Sequence, residues 1–185
     1  MSEPWRPTRA ELLAAAGETV PDVVAPGLRI LFCGINPGLY TAAVGHHFAR
    51  PGNRFWRVLH EAGFTDRLLS PFQERLLLDA GIGITNLVAR ATATAAELST
   101  ADLKEGASLL VAKVADLRPR AVAMLGMQAF RTAFGVRDAV VGRQPETMAG
   151  AIVWLLPNPS GLQARYQMPD LVEMFGELAG VLRAG

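Results

Sequence analysis

The chain has 185 residues, 50% of them hydrophobic, which is enough for one domain with a sizeable core. Lys and Arg number 18 against 17 acidic residues, so a net charge of +1 excludes a polyanion binder driven by bulk charge and makes any nucleic-acid contact local. The single cysteine, Cys33, excludes an internal disulfide, a cysteine-rich zinc site and an iron–sulfur cluster.

No apolar run approaches the roughly 18 residues of a membrane span, and the opening MSEPWRPTRAELL has no signal-peptide core. An intracellular, cytoplasmic protein is therefore expected, nucleoid-associated if the source is bacterial.

In chain order, residues 1–25 read as a weakly ordered lead-in with one short helical pattern from Glu11 to Ala16, followed by Gly17 and Pro21. The segment LRILFCGINPG then begins at Leu28. Five of its first six residues are apolar, as expected of a strand buried on both faces, and Gly34, Pro37 and Gly38 break the pattern. The loop LYTAAVGHHFARPGN is too long for a simple connection and reads as functional. Asn53 looks like an N-cap for a helix whose apolar stripe is Phe55, Trp56, Leu59 and Ala62, closed by Gly63. GIGITNLV (81–88) is a short apolar segment that delivers Asn86 near its end. Ser99 and Asp102 form a capping-box pattern ahead of a long helix with Leu103, Ala107, Leu110, Val111, Val114 and Leu117 inward. A strand follows over 121–125, then a helix after Gly126 carrying Ala129, Phe130 and Ala133. The last strand, 151–156, ends in PNPSG, and Pro169 opens a terminal helix. Strands alternating with helices predict an α/β fold, a three-layer α/β/α sandwich around a mostly parallel sheet, with residues 26–185 as a single domain.

Ligands of such sheets sit outside the carboxyl ends of the strands, which puts Asn36 at the place of chemistry. An amide at pH 7 is neither acid nor nucleophile, but it can orient a water or read a polar ring edge. On the tripeptide alone, Asn-Pro-Gly as a plain turn is the simpler reading. His46 and His47 are adjacent, so their side chains diverge, and no Asp, Glu or Cys completes a ligand set; no metal is expected. Cys33 reads as a buried, inert thiol.

Four motifs in order, GINPGL (34–39), GHHF-x-x-PGN-x-FW (45–56), TNLV (85–88) and PNPSGL (157–162), resemble the mismatch-specific uracil and thymine DNA glycosylases, a branch of the uracil-DNA glycosylase superfamily. The similarity runs from about Pro26 to near the C-terminus. It implies the uracil-DNA glycosylase fold and cleavage of the base–sugar bond in duplex DNA, in base excision repair, by a monomer that needs no cofactor. By matching position, Asn36 would hold the attacking water and Asn86 would be a second polar group near it, in a place where some uracil-directed members carry lysine. Phe48 would stack on the flipped base, the backbone near Ile35 and Phe48 would read its polar edge, and His47 would help around the pocket. Thr41 falls where the family has a smaller residue near the base's C5 edge, alanine in thymine-directed members and serine in uracil-directed ones. Asn158 stands where stronger uracil glycosylases carry a histidine that stabilises the departing anion.

The same resemblance implies that Leu162 enters the helix as a wedge, which also suits an apolar side chain on a turn where burial cannot explain it. Backbone groups of Gly161 and Gln163 would contact the unpaired guanine, and Arg165 would meet a phosphate or the stack. Arg50 and Arg54, flanking PGN, are candidate phosphate contacts. The expected activity is therefore a monofunctional glycosylase acting on uracil and related pyrimidines opposite guanine, with thymine a poor substrate. Two alternatives remain: a lesion-binding protein that flips without cutting, and a small-molecule nucleoside enzyme on the same frame. The second lacks any GxxxxGK[ST] or GxGxxG phosphate loop, and a free nucleoside needs no wedge.

Overall fold

The computed structural model describes residues 5–185, with strands Ile30–Gly34 (β1), Ile82–Asn86 (β2), Ala121–Leu125 (β3), Gly142–Met148 (β4) and Ala151–Leu156 (β5) in one sheet. Its order is β2-β1-β3-β5-β4; the first four neighbours run parallel and only β4 is antiparallel. β1 and β3 are buried at every position because both faces of the sheet are covered. Alternate β1 side chains go opposite ways. Ile30 and Phe32 join Phe55, Leu59, Phe175 and Leu178 in one layer, while Leu31 and Cys33 join Leu110, Val114 and Phe130 in the other. The first layer is built from the helices Phe55–Glu61 (α3) and Met168–Ala184 (α6), the second from Thr100–Leu117 (α4) and Met127–Phe134 (α5). Phe32 centres the first layer, with ring centroids 5.5, 5.3 and 6.0 Å from Phe55, Phe64 and Phe175.

The expected α/β sandwich is thus present, and three elements were not anticipated. The long loop after Asn36 contains a helix, Leu39–Val44 (α2), stopped by Gly45 in the left-handed conformation (φ 79°). Residues Pro71–Ala80 form 3-10 turns opened by a Ser70–Gln73 capping box. β4 escaped prediction because it is a polar edge strand with Pro145 inside it, where only Gln144 and Met148 are buried. It returns to β5 through Ala149 and Gly150, both with positive φ (46° and 87°), as a two-residue hairpin turn requires.

The long helix α4 starts at the Ser99–Asp102 box as expected, and Ser99 holds the Asp102 carboxyl below its usual range through backbone and side-chain hydrogen bonds. At α3 the boundary falls on Arg54, but Asn53 still caps it, its Oδ1 accepting from Phe55 N–H at 2.9 Å.

The lead-in is more tightly tied than its composition suggested; its first four residues lie outside the described part. Its helix runs Arg9–Ala14 (α1), earlier than the expected Glu11–Ala16, because a Thr8–Glu11 capping box opens it. Val23 then pairs antiparallel with Ile84, exchanging bonds of 2.9 and 2.8 Å, and extends the sheet beyond β2. Asp22 accepts from Thr85 Oγ1 (2.9 Å) and pairs with Lys113 of α4. Few apolar residues are needed when the anchors are polar, which is why the segment reads as loose.

Candidate active site at the carboxyl ends of the strands

The carboxyl ends of β1, β2 and β5 open into a cleft of about 230 Å³ lined by Asn36, Thr41, Phe48, Asn86, Asn158 and Leu162, among others. At its floor the Asn36 amide nitrogen donates to the Arg90 carbonyl (3.0 Å) and to Thr92 Oγ1 (2.8 Å). Thr92 Oγ1 gives its own single proton to the Thr94 carbonyl at 2.8 Å, so toward Asn36 it can only accept. That bookkeeping fixes the amide orientation. Both Asn36 protons are spent, and Oδ1 is left as an acceptor without a protein partner among the described residues. Thr92 is buried, and its N–H binds the Pro37 carbonyl (3.2 Å), tying the loop after β2 to the turn after β1. Sequence reasoning missed Thr92, one of two threonines in the run ATAT.

Asn86 is oriented from the other side. His47 is only 1% exposed, and its Nε2 lies 2.8 Å from the Pro21 carbonyl, which can only accept. Nε2 therefore carries a proton toward that carbonyl, and Nδ1 lies 3.5 Å from Asn86 Nδ2. Asn86 Oδ1 then lies over Gly34, 2.6 Å from where a Cβ would stand, so a larger residue at that position of β1 would push the Asn86 amide aside. Glu74, only 6% exposed, holds the histidine pair in place: one carboxylate oxygen accepts from His47 N–H (2.8 Å) and the other meets His46 Nδ1 (2.9 Å).

Phe48 sits in the left-handed region (φ 52°), strained for a bulky residue. The strain places its ring against Phe55, centroids 4.0 Å apart and stacked at 26°, while it also lines the cleft. Thr41 comes from α2, buried at the cleft wall. The Ile35 carbonyl is committed to Val88 N–H at 2.9 Å. Cys33 lies behind the site, where burial pushes its thiol up, so it offers no nucleophile.

The turn after β5 forms the rim. Asn158 Oδ1 accepts from Ser160 N–H (3.0 Å), leaving its Nδ2 donors without a protein partner among the described residues. Leu162 is 72% exposed at the apex, and Arg165 is exposed beside it with its guanidinium 5.4 Å from the Tyr166 ring centroid. Gln163 donates its N–H to Ser160 (3.0 Å) and its carbonyl accepts from Arg54 (2.9 Å), so both backbone groups expected to face an unpaired guanine are already bonded within the turn. Arg50 is exposed at the cleft edge, as a phosphate contact would be. Arg54 is not: its guanidinium is turned inward onto loop carbonyls, a correction to the expectation that it meets a phosphate.

The Uracil DNA glycosylase superfamily model matches residues 21–179 of the chain. A solution NMR structure of a candidate uracil DNA glycosylase from Methanosarcina acetivorans superposes with a TM-score of 0.59 at 17% identity, covering 88% of this chain and 98% of that one. At that identity the likeness speaks to the fold.

Proposed function

The chain belongs to the uracil DNA glycosylase superfamily, and from that premise we propose that it is a monofunctional glycosylase that excises uracil opposite guanine in duplex DNA. The observation that carries this reading is Asn36, whose orientation is fixed and whose Oδ1 is open at the strand end. A base inside a duplex is out of reach, so the nucleotide must be flipped into the cleft, with Phe48 offering a face for the base and Leu162 filling the gap. The bond between N1 and C1′ then breaks with its electron pair leaving on uracil, whose ring delocalises the charge, and the sugar passes through an oxocarbenium-like state. Asn36 Oδ1 accepts a hydrogen bond from the water that captures C1′, and that water loses a proton to solvent. Free uracil and an abasic site result.

Positioning, and not base strength, is what Asn36 supplies. Asn86 lines the same cleft and would be a second polar group near the water or sugar, and the Asn158 Nδ2 donors would face the departing anion as weaker substitutes for a charged group. The partner is double-stranded DNA with a G:U or related mismatch, met by a monomer without a cofactor.

The test is incubation of a G:U duplex with the protein followed by alkali. Strand scission at the uracil supports the reading. The cleft lining contains no carboxylate, which favours a second reading, a lesion binder that flips without cutting. Tight binding of the G:U duplex with no alkali-labile site would establish that second reading instead.

A further inference from the structure

Arg54 makes the densest set of side-chain contacts at the site, and none of them is to a charge. Its Nε donates to the Pro159 carbonyl (3.2 Å), Nη1 to Tyr166 (2.6 Å), and Nη2 to both Ser160 and Gln163 (2.9 Å each). Its backbone N–H also donates to Pro159, at 3.0 Å. One nitrogen thus grips the residues on both sides of the pair Gly161–Leu162. The same turn is pressed against the PGN loop: a Cβ on Gly161 would stand 2.5 Å from the Gly52 carbonyl oxygen.

We propose that Arg54 is a positioning residue that holds the turn carrying Leu162 in its insertion-ready shape before DNA arrives. The inference rests on the glycosylase reading for its consequence, though not for its geometry. A turn already ordered by folding spends little binding energy on being ordered, so the gain appears only on substrates that must be wedged open. The planar guanidinium fork matches four carbonyls, and a lysine, a point charge on a single nitrogen, cannot reach them together.

The experiment combines Arg54→Met and Arg54→Lys with Leu162→Ala and the double variant Arg54→Met/Leu162→Ala. Limited trypsin digestion, read as cleavage after Arg165, reports the state of the turn without reference to catalysis. Single-turnover uracil release from G:U duplex and from single-stranded DNA reports the wedge. Arg54→Met and Arg54→Lys are both expected to be cut after Arg165 about tenfold faster, and to lose duplex activity relative to single-stranded activity by about tenfold or more. In the Leu162→Ala background, Arg54→Met should change that ratio no further, because it acts through Leu162.

Unchanged cleavage after Arg165 in a folded variant overturns the proposal. So does full rescue by lysine, which would make Arg54 a charge for phosphate, and so does an equal loss of ratio in both backgrounds. If Arg54→Met does not fold, Gly161→Ala disturbs the same contact from the other loop and should shift both readouts in the same direction; its failure to do so counts against the proposal. A protein that releases no base from any DNA would sink the glycosylase reading alone, since the trypsin readout still decides whether Arg54 holds the turn.

Discussion

Asn36 has spent both amide protons before any substrate arrives, and this separates two variants that otherwise look alike. Asn36→Ala removes the water's anchor and should abolish base release; it also strands the Arg90 carbonyl and Thr92 hydroxyl, at about 1–2 kcal/mol of stability. Thr92→Val keeps Asn36 but loses the bond that fixes its amide. Single-turnover release from G:U duplex should fall about ten- to hundredfold with duplex binding kept, and Thr92→Ser should restore it. Wild-type rates in Thr92→Val would show that the Arg90 carbonyl suffices. Base choice belongs to the same scale. Thr41 is buried at the cleft wall, and one methyl too many in a fitted pocket costs about 1–3 kcal/mol, so thymine opposite guanine should be disfavoured by about tenfold or more. Thr41→Ala should narrow the gap between G:U and G:T release, and an unchanged ratio would remove Thr41 from base selection. Asn36, Asn86 and Leu162 were legible in sequence because each stands at a strand end or on a Gly-preceded turn. Thr92 and Arg54 were not, since their partners lie 56 and 105–112 positions away, and a hydroxyl or guanidinium does not announce which carbonyl or amide it will meet.

At the scale of elements, those read correctly are the ones that carry their own signal. β3 and β5 are uninterrupted apolar runs, and α4 has both a cap and an inward stripe of Ala107, Leu110 and Val114, although Val111, expected inward, is 40% exposed. The Ser99 cap is local, so Ser99→Ala should cost about 1 kcal/mol and lower the melting temperature by about 2–4 °C. Base release should be untouched, as α4 packs behind the sheet and away from the cleft; a slowed release would mean that the loop around Thr92 feels the start of the helix. α2 was hidden because a six-residue helix between glycines looks like turn chemistry, and β4 because an edge strand protects itself with the residues that mark loops. The segment at Val23 misled for a third reason. Its strand-like pairing to Ile84 is brief, and its firmest holds are Asp22 to Thr85 and Lys113, and Pro21 to His47.

For the molecule as a whole, a net charge of +1 leaves little general attraction for DNA. Arg54 is turned inward and Arg131, which shares the rim with Arg165, is bonded to the Ala139 carbonyl. Arg50 and Arg165 are thus the exposed cations there among the described residues, and duplex binding should release few counterions. For about two phosphate contacts, log affinity against log salt should have a slope near −2, measurable by fluorescence anisotropy between low and physiological salt. A slope several times steeper would place a basic surface elsewhere in the contact. On the proposed reading, weak general attraction leaves recognition to the flipped base and the wedge, so discrimination between mismatch and normal duplex should survive added salt.

The hold of Arg54 on Tyr166 spans 112 positions of sequence. Asn36 and the strand that presents it are complete long before that partner exists. A chain ended between Thr92 and the turn after β5 would contain Asn36 and its two partners but neither Leu162 nor α6, whose Phe175 and Leu178 complete the core layer around Phe32. On the proposed reading, the element that opens a duplex is therefore completed only with the final fifth of the polypeptide, together with the helix that closes the core.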